Sequence, residues 1–272
     1  MSRISIMNIL FMFYSFDYFL KSAAEIGFQS IDIWTGYPHL VIDEDYVEKC
    51  KAVRLKCDKL GLRVDNVTPK VIGWPLNIAD ADDKVRNRAI KYLQRCMEAA
   101  DILGAETLQL VPGTGLYDEP VEPAWERARQ SLITLAKYAQ DHGKILGLEA
   151  IQIVESNLIN NKDQLLKMLN EVDSPALKAV VDTTHMEKNG ETLEQYFETL
   201  GSRICRIHLN ESDQVAWGDG HSSLDEYLVQ LNRYGYQGPI TVEICSRPHY
   251  LKPYASLQQT YNYMSAAINR QH

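Results

Sequence analysis

Short apolar runs alternate with longer amphipathic segments along the whole chain of 272 residues. The apolar runs, such as SIDIW, TLQLV and ITVEI, are rich in Ile, Val and Leu, which is typical of buried β-strands. The amphipathic segments repeat apolar residues at helical spacing, and several stop at a glycine, as at Gly27, Gly61 and Gly104. Glycine is favoured just past a helix end because it adopts a left-handed conformation without steric cost. The pattern therefore predicts a regular alternation of strands and helices.

Eight strand–helix pairs follow one another, from the strand SRISIMNIL to a closing helix that starts at about Tyr254. Strands that alternate with helices through short connections predict a parallel sheet, and eight such units predict its closure into a (β/α)8 TIM barrel of the α/β class. No linker or change of composition interrupts the series, so we predict a single domain over residues 1–272. Ser223 and Glu226 have the spacing of a capping box, which predicts that the helix LDEYLVQLNRYG starts there.

The composition is that of a globular protein, with 45% hydrophobic and 24% charged residues and a formal net charge of −8. Binding to a nucleic-acid backbone requires a basic face, so this charge argues against a nucleic-acid partner. Ser5 and Asn8 interrupt the apolar N-terminal run, which is too short to span a membrane. The five scattered cysteines include no C-x-x-C pair, which is typical of reduced thiols. We therefore expect a cytoplasmic protein without a membrane partner.

Four consecutive predicted strands, the fifth to the eighth, each end in a residue that can bind a metal ion. These residues are Glu149 in GLEAI, Asp182 in AVVDTTH, His208 in RIHLNE and Glu243 in TVEI. In a TIM barrel the carboxyl ends of the strands surround the active-site mouth. Side chains alternate across a strand, and the ligand faces of the fifth, seventh and eighth strands carry small or polar residues opposite apolar ones. We therefore expect all four side chains to point into the barrel mouth.

Three buried carboxylates in one place repel one another unless a cation lies among them. Three carboxylates and one imidazole make an oxygen-rich site, which suits Mn²⁺ or Mg²⁺ better than a metal that prefers thiolates. We predict a divalent metal site with Mn²⁺ favoured and with Mg²⁺ or Co²⁺ as alternatives. A single acid at a strand end would more often cap a helix or lie in a surface loop. The register on four neighbouring strands is what favours the metal site.

The segments GLEAI, VVDTTH, RIHLNESD and TVEI, together with the spacing between them, resemble the xylose isomerase-like sugar isomerases and epimerases. Within that superfamily the chain is similar to the ketose 3-epimerases that act on tagatose and psicose, over essentially its whole length. The segments IDIWTGYPH and Glu155-Ser156-Asn157 are more similar still to fructoselysine 3-epimerase. The resemblance implies a TIM barrel, a divalent metal ion, a small sugar substrate and assembly as a homo-oligomer.

The resemblance also implies a role for individual residues. Four residues would bind the metal ion: Glu149, Asp182, His208 and Glu243. Glu149 and Glu243 would also be the catalytic acid–base pair on opposite faces of the substrate. Glu155 and His185 would contact the sugar near its carbonyl end, although a histidine at position 185 can also be interpreted as a cap of the following loop.

The implied reaction is epimerisation at the carbon next to a ketone, which removes a weakly acidic proton and returns it on the opposite face. A bound metal ion would stabilise the enediolate as a Lewis acid, and two carboxylates can act in turn as base and acid. We expect C3 epimerisation of a ketose, either a free ketose or a fructosamine such as fructoselysine. The loops after the seventh and eighth strands lack a basic, glycine-rich phosphate cradle, so an unphosphorylated sugar is favoured.

Two positions depart from the family pattern and leave the identity of the sugar open. Gln214 is the residue nearest to the place where an arginine is common, and Trp217 replaces the usual proline at the start of the loop WGDG. Arg206 has the inward parity of His208, and it can be interpreted either as a partner of a metal-binding carboxylate or as half of a buried structural ion pair.

Weaker candidates for substrate binding lie in the loops. Trp34 and His39 follow the second strand and Trp74 follows the third, so they could form a wall of the substrate pocket, or they could simply pack within the loops. Arg247 follows the eighth strand and could bind a charged substituent of the substrate. An arginine there can also be a surface residue or a subunit contact.

Other functions use similar residues. An inosose-type dehydratase or an aldose–ketose isomerase would employ the same metal site, because both reactions begin with deprotonation next to a carbonyl. A non-catalytic sugar-binding protein would be expected to lack one carboxylate of the acid–base pair, and both Glu149 and Glu243 are present. A zinc endonuclease for abasic DNA would need several more histidines, and the chain has seven.

Overall fold

Eight short parallel strands form a closed barrel in the computed structural model, which describes residues 4–71 and 76–271. The strands are β1 (Ile4–Met7), β2 (Ser30–Trp34), β3 (Arg63–Thr68), β4 (Thr107–Leu110), β5 (Ile145–Glu149), β6 (Leu177–Asp182), β7 (Ile204–His208) and β8 (Ile240–Val242). Each strand pairs with the next one along the chain, and β1 pairs with β8 to close the barrel. The predicted (β/α)8 TIM barrel is confirmed. The start of the predicted first strand, at residues 2–3, and Trp74 lie outside the described residues.

Helices follow the strands and surround the barrel. In the ranges that the structure describes, the α-helices are α1 (Phe16–Ile26), α2 (Tyr46–Leu60), α3 (Asp83–Leu103), α4 (Val121–Asp141), α5 (Lys162–Val172), α6 (Thr183–Lys188), α7 (Leu193–Leu200), α8 (Leu224–Arg233) and α9 (Pro253–Arg270). Short 3-10 helices lie at Asn8–Phe11, Gly201–Arg203, Ser212–Gln214 and Arg247–Leu251. Within these same ranges, no helix is long and apolar enough to cross a membrane.

The helix ends follow local sequence signals. Three helices end at the predicted glycines with φ of 114°, 68° and 81°, at Gly27, Gly61 and Gly104 respectively. At the start of α8, Ser223 Oγ accepts a hydrogen bond from the backbone N of Glu226 at 3.3 Å, which is one half of the predicted capping box. A complete capping box, formed by Thr192 and Gln195, opens α7.

The sixth strand ends at Asp182, as the sequence predicted, and α6 begins at the next residue. Asp182 starts this helix, because its Oδ1 accepts hydrogen bonds from the backbone N of Thr184 at 2.7 Å and of His185 at 3.0 Å. Asp182 therefore caps a helix and also stands at a strand end, so that one carboxylate oxygen is used for the cap and the other faces the barrel mouth.

A buried ion pair lies inside the barrel. Arg206 on β7 is 1% exposed, and its Nη1 lies 3.3 Å from Asp65 Oδ1 on β3. The guanidinium also donates hydrogen bonds to Thr241 Oγ1 at 2.8 Å and to Thr107 Oγ1 at 3.1 Å. Burial raises the pKa of Asp65 to about 6 although Arg206 lowers it. Arg206 thus matches the second interpretation of the sequence, a structural ion pair that joins four strands.

Candidate active site

Side chains from the carboxyl ends of β5, β6 and β7, and from the residue after β8, meet in the barrel mouth. The ligand atoms of Glu149, Asp182 and His208 lie within 4.8 Å of one another, and all three residues are buried. His208 Nδ1 is 3.9 Å from Glu149 Oε1, 3.9 Å from Asp182 Oδ2 and 3.4 Å from Glu243 Oε2. The structure therefore gathers all four predicted ligands around one imidazole nitrogen.

The atoms that face the centre of this cluster are unpaired. Glu149 Oε1 and His208 Nδ1 are buried and have no hydrogen-bond partner among the described residues. Buried polar groups are normally paired, and each unpaired one costs about 1–3 kcal/mol. A divalent cation between these atoms would satisfy both and would offset the repulsion between the carboxylates. The donor set of three carboxylates and one imidazole fits a hard divalent ion.

The electrostatics of the cluster indicate an excess of buried negative charge. Burial raises the pKa of Glu149 and the carboxylates of Asp182 and Glu243 raise it further, while His208 acts in the opposite direction. Burial lowers the pKa of His208, but the carboxylates around it outweigh this effect and raise the pKa to about 9. The neighbouring acids contribute to both shifts, and a divalent cation among them would offset their charge.

Amide side chains orient the candidate metal ligands, and the sequence patterns had not pointed to them. Gln109 Nε2 on β4 donates a hydrogen bond to Glu149 Oε2 at 2.8 Å. Asn210 Nδ2 donates to Asp182 Oδ2 at 2.7 Å, and Asn210 Oδ1 accepts from the backbone N of Glu243 at 2.7 Å. The available signal was parity, because a polar side chain two positions beyond the strand-seven histidine points the same way as that histidine.

Asp32 on β2 is a further residue of the site that the sequence patterns did not identify. It is 0% exposed, and its Oδ2 lies 3.8 Å from His208 Nε2, on the side of the ring away from the other acids. Its carboxylate accepts hydrogen bonds from Asn66 Nδ2 at 2.9 Å, Thr68 Oγ1 at 2.8 Å and Thr241 Oγ1 at 3.1 Å. The only sequence signal was a lone acid inside the apolar run SIDIW.

A cavity of about 310 Å³ opens over the ligands, and Glu149, Glu155, His185, Gln214 and Glu243 are among the residues that line it. His185 Nε2 lies 4.0 Å from Glu155 Oε2. On the other side of the ring, His185 Nδ1 lies 3.1 Å from the amide donor Gln152 Nε2. That amide leaves the imidazole proton on Nε2, directed towards Glu155. Burial lowers the pKa of His185, but the neighbouring carboxylates raise it by more.

The weaker candidates occupy different places. Trp34 lines the cavity. His39 is not among the described residues that line the cavity. Its Nδ1 lies 2.7 Å from Asn8 Nδ2, and its Nε2 lies 3.0 Å from the Tyr14 carbonyl oxygen. Both ring nitrogens of His39 thus lie within hydrogen-bond distance of loop atoms, which favours the interpretation that the ring packs within the loop. Arg247 is exposed in the 3-10 helix after β8, also away from the cavity lining.

The two departures from the family pattern differ in their consequences. Gln214 lines the cavity, and its Nε2 is 3.5 Å from Asp182 Oδ2, so an amide faces the cavity where an arginine is common in the family pattern. Trp217 is fully buried, and its Nε1 donates a hydrogen bond to the Leu209 carbonyl oxygen at 3.2 Å. This tryptophan belongs to the core and does not line the cavity.

Known proteins are similar to this chain in sequence and in fold. A family model described as Xylose isomerase-like TIM barrel matches residues 20–265. Fructoselysine 3-epimerase from Escherichia coli O157:H7 is 27% identical over 229 residues, which are 82% of this chain and 83% of that protein. L-ribulose 3-epimerase from Methylomonas sp. (strain DH-1) is 27% identical over 172 residues, 61% of this chain and 59% of that one. A solved structure of L-ribulose 3-epimerase superimposes with a TM-score of 0.83 at 22% identity and covers 100% of this chain and 97% of its own. The chain belongs to the xylose isomerase-like TIM barrel family.

Proposed function

We propose that this protein is a divalent-metal-dependent sugar epimerase that inverts C3 of a ketose, either a free ketose or a fructosamine such as fructoselysine. The observation that carries the proposal is the convergence of three carboxylates and one imidazole around His208 Nδ1, below a cavity of about 310 Å³. The relatives named as 3-epimerases of fructoselysine and L-ribulose support the same chemistry.

Four residues hold the metal ion in this proposal: Glu149, Asp182, His208 and Glu243. Mn²⁺ is the favoured ion and Mg²⁺ or Co²⁺ are alternatives, because the donor set is rich in oxygen. When bound, the ion supplies Lewis-acid polarisation of the substrate carbonyl, which makes the hydrogen on the neighbouring carbon more acidic. The unpaired Glu149 Oε1 and His208 Nδ1 support this assignment.

Glu149 and Glu243 move the proton. Both line the cavity, and they project from β5 and from the end of β8, two strands that β6 and β7 separate in the barrel. One carboxylate removes the C3 proton while the other, protonated, delivers a proton to the opposite face. The hydrogen bond from Gln109 favours the ionised form of Glu149. Glu155, His185 and Trp34 position the sugar at the carbonyl end and along one wall.

Product analysis tests this proposal. With Mn²⁺ present, we expect a ketose to be converted into its C3 epimer of unchanged mass, and we expect a chelator to abolish the conversion. E149Q and E243Q should each lower kcat about 10²–10⁴-fold, because each removes one proton-transfer group. E48Q is the control, because Glu48 is an exposed partner of Lys51. A product that has lost water would replace the proposal with the dehydratase, and conversion that persists with a chelator would contradict the metal site.

A further inference from the structure

A second cavity adjoins the one above the metal-binding residues. It measures about 280 Å³, and Val71, Val111 and Glu155 line both spaces. The two cavities therefore share a wall that includes Glu155, the residue assigned to the carbonyl end of the sugar. Epimerisation of a free ketose requires no such additional space, so the second cavity calls for an explanation of its own.

The second cavity offers an aliphatic surface to a ligand. Leu76, Leu116 and Ile151 line it together with the two shared valines. Apolar walls of this kind favour a hydrocarbon chain, which is withdrawn from water there at about 25 cal/mol per Å² of apolar surface. Sugar hydroxyl groups would gain little from these side chains, so the wall suits an alkyl substituent better than a second sugar.

Charged side chains of both signs stand in the same wall. Arg127 on α4 is half-buried, and its Nε donates a hydrogen bond to the Ala79 carbonyl oxygen at 2.8 Å. The described residues give its guanidinium no ion-pair partner, whereas neighbouring Arg129 is paired with Glu126 at 2.6 Å. The remaining N–H groups of Arg127 are thus available for a carboxylate.

Acidic residues complement this arginine. Asp80 and Glu119 line the second cavity with Arg127 and can bind an ammonium group. At the junction with the sugar cavity, Glu155 Oε2 is buried and has no hydrogen-bond partner among the described residues. This oxygen could bind a positively charged nitrogen that links a sugar in the first cavity to an alkyl chain in the second. The second cavity thus combines an acid shared with the first cavity, aliphatic side chains and charged groups of both signs.

Hydrogen bonds between three loops hold this cavity in shape. Asn77 Oδ1 accepts from the backbone N of Thr114 at 3.0 Å, which joins the loop after β3 to the loop after β4. Ser156 Oγ donates to the Gly113 carbonyl oxygen at 2.6 Å, which joins the loop after β5. Gly113 has a φ of 77°, and a Cβ there would lie 2.5 Å from Asn77 Oδ1. These hydrogen bonds join the three loops that carry residues of the wall.

We propose that the second cavity binds the substituent of a ketosamine, an alkyl chain that ends in an α-amino acid, with its carboxylate at Arg127 and its ammonium at Asp80 and Glu119. The inference rests on the proposed C3 epimerase function and specifies its substrate. The preferred substrate is a ketose attached to the side-chain nitrogen of lysine, and a free ketose is the poorer one. Glu155 faces the secondary ammonium that joins the two parts.

The test compares four substrates on the Mn²⁺-loaded protein. They are fructoselysine, the ketosamine of 6-aminocaproate, which lacks the α-ammonium, the ketosamine of cadaverine, which lacks the carboxylate, and psicose, which has no substituent. We expect kcat/KM to be highest for fructoselysine and to fall about tenfold when either the ammonium or the carboxylate is removed, because each loses charged hydrogen bonds. R127Q should lower kcat/KM about tenfold to a hundredfold for fructoselysine and for the aminocaproate derivative. It should leave psicose and the cadaverine derivative unchanged.

R129Q is the matched control, because Arg129 lies on the same helix and pairs with Glu126 outside this cavity. Equal rates with fructoselysine and psicose in the wild type, or an equal effect of R127Q on all four substrates, would overturn the inference. If R127Q does not fold, E119Q at an exposed position provides the test, with a loss confined to the two substrates that carry the ammonium. If no substrate turns over, the epimerase function has failed, and calorimetric binding of fructoselysine to wild type and R127Q still decides the binding site.

Discussion

Asp32 lies behind the His208 ring, on the side away from the other carboxylates of the proposed metal site. His208 is 0% exposed, with Nδ1 directed to the three carboxylates that we propose as metal ligands and Nε2 directed to Asp32 Oδ2 at 3.8 Å. A negative charge behind the ring favours a proton on Nε2, so the lone pair remains on Nδ1. Three hydrogen bonds keep Asp32 in that place.

D32N should therefore weaken metal binding. The amide retains the shape of the carboxylate but not its charge, and loss of such an outer partner typically lowers metal affinity 10–100-fold. Calorimetric titration of the metal-free protein with Mn²⁺ measures the effect, and D43N, at an exposed ion pair with Lys49, is the control. A dissociation constant equal to that of the wild type would show that Asp32 is only a structural residue.

At the scale of elements, the sequence predicted the strands better than the loops between them. The barrel and the gathering of Glu149, Asp182, His208 and Glu243 could be predicted because strand order, parity and strand ends all have a local pattern. Asp32 and Gln109 were not predicted as site residues. A single polar residue in an apolar run forms no repeating pattern, and the side chain that it contacts lies on another strand. The two interpretations of His39 could not be separated from the sequence, because its position depends on hydrogen bonds to Asn8 and Tyr14 across two loops.

The interior ion pair belongs to this scale because it joins strands on different sides of the barrel. R206M should lower the free energy of unfolding by about 3–5 kcal/mol, since it leaves the buried Asp65 carboxylate without its cation. The double variant R206M/D65N should recover part of that loss. Urea denaturation followed by circular dichroism measures both.

The matched control is R270Q, which breaks the exposed Arg270–Asp225 pair and should lower the free energy of unfolding by no more than about 1 kcal/mol.

The destabilisation caused by R206M should also depend on pH, because Asp65 titrates. Burial raises the pKa of Asp65 in the folded state to about 6, so folding favours the protonated acid. Its contribution to stability is therefore lost as the pH rises from the unfolded pKa of about 4 through the folded pKa of about 6. The loss in R206M should be larger at pH 8 than at pH 5, and an equal loss at both would contradict the assigned pair.

For the whole molecule, we expect the cluster of buried acids to couple metal binding to stability. The raised pKa of His208, about 9, means that the protonated imidazole stabilises the metal-free fold fully below the unfolded value of about 6.5. This contribution disappears as the pH rises through about 9. Glu149 acts in the same direction, because its folded-state pKa is also raised and its ionisation at higher pH adds to the buried negative charge.

The metal-free protein should therefore have a lower Tm at pH 8 than at pH 6. Mn²⁺ should raise the Tm at both values, and by more at pH 8, because there it displaces fewer protons from the ligands. Thermal denaturation with Mn²⁺ or with a chelator at each pH provides the four values. A Tm that does not respond to Mn²⁺ at either pH would contradict a metal site at these residues.

Solvent-deuterium exchange tests most directly whether the four strand-end residues serve removal of the C3 proton of a ketose. The Mn²⁺-loaded protein is incubated in D₂O with fructose, tagatose, psicose, sorbose or fructoselysine, and NMR locates the deuterium. We expect label at C3 of at least one substrate, and no label with a chelator or with E243Q. Label at C1 would identify an aldose–ketose isomerase, and no label in any ketose despite stoichiometric metal would contradict the epimerase.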